Sequence, residues 1–245
     1  MLQACFFGID LAWSGRNLTG VCALDRHGVL VDERLIQTDD EILEWISVRL
    51  SGSAVAAVDA PLLVPNVDGR RPCEAQVAKA YAARKAGPHP ANRTLLADGA
   101  GKIRGEQLAA RLAEIGFGDP WVDSDRTLLE AYPHPTLVEV FDLPERLLYK
   151  AKPGLGVAGR RAGLRRLSGL LASLHDSAPP LVAPRVRVSD ANRGAALKAI
   201  EDRLDARICA WVASLWAYDQ ARVRLFGDTA TGHIAVGLGP AATGR

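Results

Sequence analysis

A chain of 245 residues, 48% hydrophobic and 24% charged, has ample apolar material for a sizeable core, which excludes disorder as its main state and suits one elaborated domain, 1–245. No run approaches the ~18 apolar residues of a membrane helix, no leader is expected because Asp10 and Arg16 break the first apolar run, and four cysteines at 5, 22, 73 and 209 without a C-x-x-C pair fit free thiols in a reducing cytoplasm. Net charge is only +2, but nine acidic side chains oppose four basic ones in residues 1–60, and ten basic oppose two acidic in residues 146–193, a stretch suited to contact with a polyanion.

Ala4 to Asp10 reads as a buried strand, with Cys5, Phe6, Phe7 and Ile9 in a short apolar run. Leu18 to Leu24 is a second strand, and Asp25-Arg26-His27-Gly28 is a turn into a third, Val29 to Ile36. Short links between three strands predict an antiparallel meander. Helical spacing of Ile42, Leu43, Trp45, Ile46 and Leu50 follows, with Asp39 and Asp40 as N-cap candidates. A fourth strand, Ala54 to Val58, ends in Asp59-Ala60-Pro61. Three strands, a helix and another strand make an α/β pattern with a mixed sheet.

Beyond Pro65 the chain is less regular. Helices are predicted over Cys73 to Lys85 and around Leu108 to Ile115, and a fifth strand over Leu137 to Phe141. The stretch 62–135 therefore reads as a helical insertion between strands four and five. A basic helix spans Gly159 to His175, a long final helix runs from Ala195 to about Arg222, and Gly232 to Leu238 reads as an edge strand.

Asp10 and Asp59 each close an apolar strand. A charge bordering a core has to be paired or bound to a cation. Glu139 lies between apolar neighbours and, at a period of two, shares a face with Leu137 and Phe141. On the final helix Asp205 flanks the apolar stripe, with Asp202 three residues before it on the same side. Carboxylates gathered in one place repel, so a cation should hold them together; hard divalent metals such as Mg²⁺ or Mn²⁺ prefer such oxygen ligands. A His/Cys cluster that would point to zinc is absent from the sequence.

The segments Gly8-Ile9-Asp10, Asp59-Ala60-Pro61-Leu62, Arg71-Pro72-Cys73-Glu74, Val138-Glu139-Val140-Phe141, Tyr149-Lys150-Ala151-Lys152 and the run from Asp202 to Trp211 together resemble the DUF429 family. The resemblance covers most of the chain. It implies a ribonuclease-H-like fold: a five-stranded mixed sheet, meander plus parallel strands, flanked by helices. It also implies a nuclease with Asp10, Asp59, Glu139 and Asp205, beside Asp202, as its acidic site.

Phosphodiester hydrolysis at such a site would use two Mg²⁺ or Mn²⁺ ions about 3.5–4 Å apart. Asp10 is expected to bridge them, Asp59 and Asp205 to complete one shell each, and Glu139 to add a ligand or a base. His89, His134 and His233 are candidate proton shuttles. Trp13 is a candidate stacking residue, and Arg71 with Glu74, Lys150, Lys152, Arg160 and Arg161 are candidates for substrate contact, Arg165 and Arg166 extending the basic surface. Nucleic acid is the expected partner, and no membrane is. The competing readings are a non-catalytic nucleic-acid or protein-binding module on the same fold, and an ATP-dependent phosphotransferase of the actin-like class. The second would require two such domains and glycine-rich phosphate loops.

Overall fold

The computed structural model describes residues 3–240; the limits of the expected domain, 1–245, and the first two residues read for a leader lie outside the described residues. The central strand is β1 (Ala4–Asp10). Antiparallel to it runs β2 (Thr19–Leu24), and β3 (Leu30–Ile36) pairs antiparallel with β2, completing the predicted meander. The link between β2 and β3 is fixed by Asp25, whose carboxylate accepts the backbone N–H of His27 and of Val29 at 2.8 and 2.9 Å.

Helix α1 (Asp39–Ser47) is capped one residue before the expected position. Thr38 is the N-cap: its hydroxyl accepts the Glu41 N–H, and the Glu41 carboxylate accepts the Thr38 N–H. Strand β4 (Leu50–Val58) lies parallel to β1 on its other side, and β5 (Arg126–Glu130) lies parallel to β4. The sheet order β3-β2-β1-β4-β5 is the mixed five-stranded arrangement of a ribonuclease-H-like fold.

One strand was misplaced by the sequence reading. Leu137 to Phe141 is not a strand; its residues belong to α5 (Pro133–Val140), with Phe141 as C-cap. Pro133 and Pro135 sit in the first turn, where a missing N–H costs nothing. The short apolar run that follows is buried as a helix face, an alternative that periodicity alone does not separate from a buried strand. The true fifth strand has only Thr127, Leu128 and Leu129 between charged ends. The stretch 62–135 holds α2 (Pro72–Tyr81), α3 (Arg93–Leu96) and α4 (Arg104–Glu114), but β5 as well.

Helix α6 (Val157–Ser173) is the predicted basic helix. Helix α7 (Gly194–Tyr218), 25 residues long, stops four residues short of its expected end. The last segment is no isolated edge strand: β6 (Val223–Asp228) and β7 (Gly232–Gly237) form an antiparallel hairpin.

Alternation along the strands divides the core in two. Phe7, Ile9, Val21 and Ala56 point to the side that also buries Trp45 of α1 and Leu108 of α4. Phe6, Cys22, Leu24 and Ala57 point to the side covered by α7, with Trp211 fully buried there. Among the described residues no helix is long and apolar enough to cross a membrane, and all four cysteines are free.

Helix α7 reaches the sheet backbone to backbone. A Cβ on Gly8 would stand 2.0 Å from the Ala206 carbonyl oxygen and 2.2 Å from the Ala210 nitrogen; one on Gly20 would stand 2.1 Å from the Asp202 carbonyl oxygen. Gly8→Val is therefore expected to cost at least about 3 kcal/mol by overpacking. Gly15→Ala, with open space around it, should stay within about 0.5 kcal/mol of the parent. Urea unfolding of the two variants checks the difference.

Candidate functional site

The site begins with sheet register. Ile9 stands opposite Val58 on the parallel pair β1–β4, and the Asp59 N–H donates to the Ile9 carbonyl at 2.8 Å. Asp10 and Asp59 therefore leave neighbouring strands side by side at the same edge. The close approach of α7 at Gly8 and Gly20 lays its Asp202–Ala206 turn over that edge. One carboxylate oxygen from each of Asp10, Asp59 and Asp205 lies within 4.8 Å of the other two.

The loop between α5 and α6 closes on this trio. Lys150 Nζ is 2.9 Å from Asp205 Oδ2 and 3.5 Å from Asp59 Oδ2. The neighbouring Tyr149 hydroxyl donates to Asp205 Oδ1 at 2.7 Å. Asp205 is fully buried, and the Lys150 ammonium is the one partner of its Oδ2 among the described residues.

Burial pushes the Asp10 carboxyl well above the usual carboxylate range. Lys150 opposes the shift, and the negative charges of Asp205 and Asp59 add to it. Burial likewise raises Asp59, to about 6, again against Lys150. Burial alone would discharge Lys150, yet Asp205, Tyr149, Asp59 and Asp10 together hold its ammonium well above its ordinary value. Desolvation raises Asp202 too, while its hydrogen bond to Lys198 opposes this. Three carboxylates thus face the Lys150 ammonium, with Lys198 a further positive charge near Asp10.

Asp10 and Asp59 line a cleft of about 950 Å³, while Asp205 is fully buried beside them and does not line it. Trp13, 68% exposed, lines the cleft, as do Lys150, Lys152 and Asp202. Asp202 is not part of the trio: its carboxylate pairs with Lys198, which also reaches Glu201 at 3.0 Å.

Several expected site residues lie elsewhere. Glu139 is not brought to the carboxylates. Because its segment is helical, its side chain stands half-buried beside Arg84, 3.9 Å away. Arg71 is at the cleft wall but is fully used: its guanidinium pairs with Glu130 through two bonds of 2.8 and 2.6 Å, with Glu74 at 2.8 Å and with the Leu63 carbonyl at 2.9 Å. Glu74 accepts the Ala91 N–H besides, which fixes the loop bearing His89. Arg160 pairs with Glu201, and Arg161 bonds the Asn192 carbonyl. His233 accepts the Glu130 N–H through Nε2, and burial lowers its pKa to about 4, so it is a neutral structural group. His134 lines the cleft and is also held neutral by burial.

The sequence reading missed Glu130 as the partner of Arg71 and missed the Tyr149 bond to Asp205. It also missed Arg16, Arg146 and Lys198 in the cleft lining. The run Arg71-Pro72-Cys73-Glu74 signals a capped helix start, but its third partner is 59 residues away.

The model of a family described as a protein of unknown function, DUF429, matches residues 8–230. This chain belongs to the DUF429 family. The DUF429 match runs from β1 into the β6–β7 turn and so takes in Asp10, Asp59, Lys150 and Asp205. No curated protein and no solved structure matches the chain.

Asp59 gives a pH signature. Its folded pKa of about 6 exceeds the unfolded value near 3.8, so between pH 4 and pH 6 the folded state binds the extra proton and stability falls as pH rises. Asp59→Asn should remove that loss. In chelator-treated protein its gain should be absent at pH 4 and reach about 2 kcal/mol above pH 6, read from thermal unfolding across the range.

Proposed function

We propose that this DUF429 chain is a metal-dependent phosphodiesterase acting on nucleic acid, with Asp10, Asp59 and Asp205 holding Mg²⁺ or Mn²⁺. The observation that carries the reading is the convergence of three carboxylates from three separate elements, two of them lining the cleft and the third buried against them. An all-oxygen donor set suits a hard divalent ion. Such an ion, when bound, supplies a water of lowered pKa and neutralises phosphate charge.

The chain's own residues supply the rest. Asp10 and Asp59, fixed by strand pairing, set two donors that need no rearrangement. Asp205 has one oxygen held by Tyr149, which orients the other toward the cluster. Lys150, one-third exposed, stands where a cation belongs and has room to leave toward the cleft, where its charge would meet a phosphate. Three carboxylates suffice for one ion. The expected second ion would need Asp202, once released from Lys198.

The Lys150 contact also favours a second reading. An ammonium among the carboxylates satisfies them without metal, and a non-catalytic binding module on the same fold would keep it there permanently.

Mn²⁺ titration separates the two. The parent protein should bind Mn²⁺ with an affinity in the range of about micromolar to millimolar, and Asp205→Asn should weaken it by roughly tenfold or more. Asp10→Asn should lower Mn²⁺-dependent cleavage of nucleic acid by about 100-fold or more; unchanged cleavage would remove the assignment. Lys150→Met, which frees the carboxylates from their resident ammonium, should tighten Mn²⁺ binding by about tenfold. Equal affinity in the variant and the parent would place the ammonium outside the metal equilibrium.

A further inference from the structure

We infer that the cleft takes a phosphodiester of an unpaired nucleotide, in a strand end or a dinucleotide, and rejects one held in a duplex. This rests on the phosphodiesterase reading and names its substrate.

Depth is the first reason. The Asp205 side chain is wholly buried, the Asp59 carboxylate is 17% exposed, and Lys150 covers part of both. A phosphate reaching those oxygens has to enter ahead of the nucleotides that flank it. In a duplex each phosphate is held against a wide, stacked, base-paired body, whose bulk keeps it from following the phosphate down to recessed carboxylates. Size is the second reason. A volume of about 950 Å³ is that of a small-ligand pocket, enough for one or two nucleotides.

The lining supplies the third. Of the six basic side chains that line the cleft, Arg71, Lys150 and Lys198 are paired with carboxylates, whereas Arg16, Arg146 and Lys152 enter no salt bridge among the described residues. Free cations at the walls of a cleft with an acidic floor favour a ligand that is itself anionic and brings its charge inside. Trp13 offers an open ring for an unstacked base. His134, nine-tenths buried between the rings of Tyr132 and Tyr149 at 5.8 and 5.2 Å, has an unpartnered Nδ1 and faces the same space. Bases locked in pairs would leave these surfaces unused.

The test uses the full chain with Mn²⁺ and four probes in DNA and RNA form: a dinucleotide, a linear single strand, a covalently closed single-stranded circle and a blunt duplex. Cleavage of the linear strand from its ends is expected, with circle and duplex cut about 100-fold more slowly. Cleavage of the dinucleotide at a rate equal to or above that of the strand end assigns the smaller substrate, and the reverse assigns the strand end; both support the inference. Circle or duplex cut as fast as the linear strand overturns it. Binding, read by fluorescence anisotropy with labelled dinucleotide and duplex in Ca²⁺, keeps the outcome independent of turnover. Preference for the dinucleotide of about tenfold, lost in Trp13→Ala combined with Arg146→Gln, supports the inference even if nothing is cut, in which case only the phosphodiesterase reading fails. Preference for the duplex, or binding of neither probe, overturns it.

Discussion

Helix α7 lies directly on the backbone of β1 and β2, with no side chain between them at Gly8 and Gly20. That contact sets the height of the helix above the sheet. A Cβ at either position would lift α7 and carry Asp205 away from Asp10 and Asp59. The rest of the helix conforms to this depth. From Leu204 to Trp216 every residue is buried, charged ones included. Buried charges are tolerated only with partners, and they have them: Arg207 pairs with Glu33, Glu201 with Arg160 and Lys198, Asp202 with Lys198. Asp205 differs from these in that both its partners, Tyr149 and Lys150, come from one loop and its carboxylate stands within a cluster of three.

The strand-end aspartates were legible because an apolar run that stops at a carboxylate is visible in a few consecutive residues, and the meander because short turns leave strong local marks. Asp205 was legible as a deviation from an apolar stripe. Glu139 was not, since a five-residue apolar run has no period long enough to separate helix from strand. Its two prolines, at 133 and 135, were the available signal for a helix start. Arg71 and Glu74 showed themselves as a helix opening, but Glu130 is brought to them only by tertiary structure, through β5, the strand that was itself misplaced. The position of Lys150 was beyond sequence reasoning for the same reason. It belongs to a loop, and its partners come from β4 and α7.

Charge in this molecule is sorted by depth. At the cleft wall, Arg71 is spent on Glu130 and Glu74 and braces the loops on either side. On the floor, carboxylates exceed ammonium. Toward the mouth, cations go unpaired. Under the proposed function, a gradient of that kind would draw an anion inward toward the carboxylates.

Tyr149 and Lys150 are consecutive residues, and between them they occupy both oxygens of one aspartate. The same loop carries Arg146 and Lys152. A cation settling on Asp205 must expel the ammonium, and the peptide that carries it shifts along with its basic neighbours. Whatever binds those neighbours bears on the vacated oxygen in turn. Were both sites filled, occupancy below and occupancy above would be linked thermodynamically, each altering the other by the same factor, with a single dipeptide as the lever.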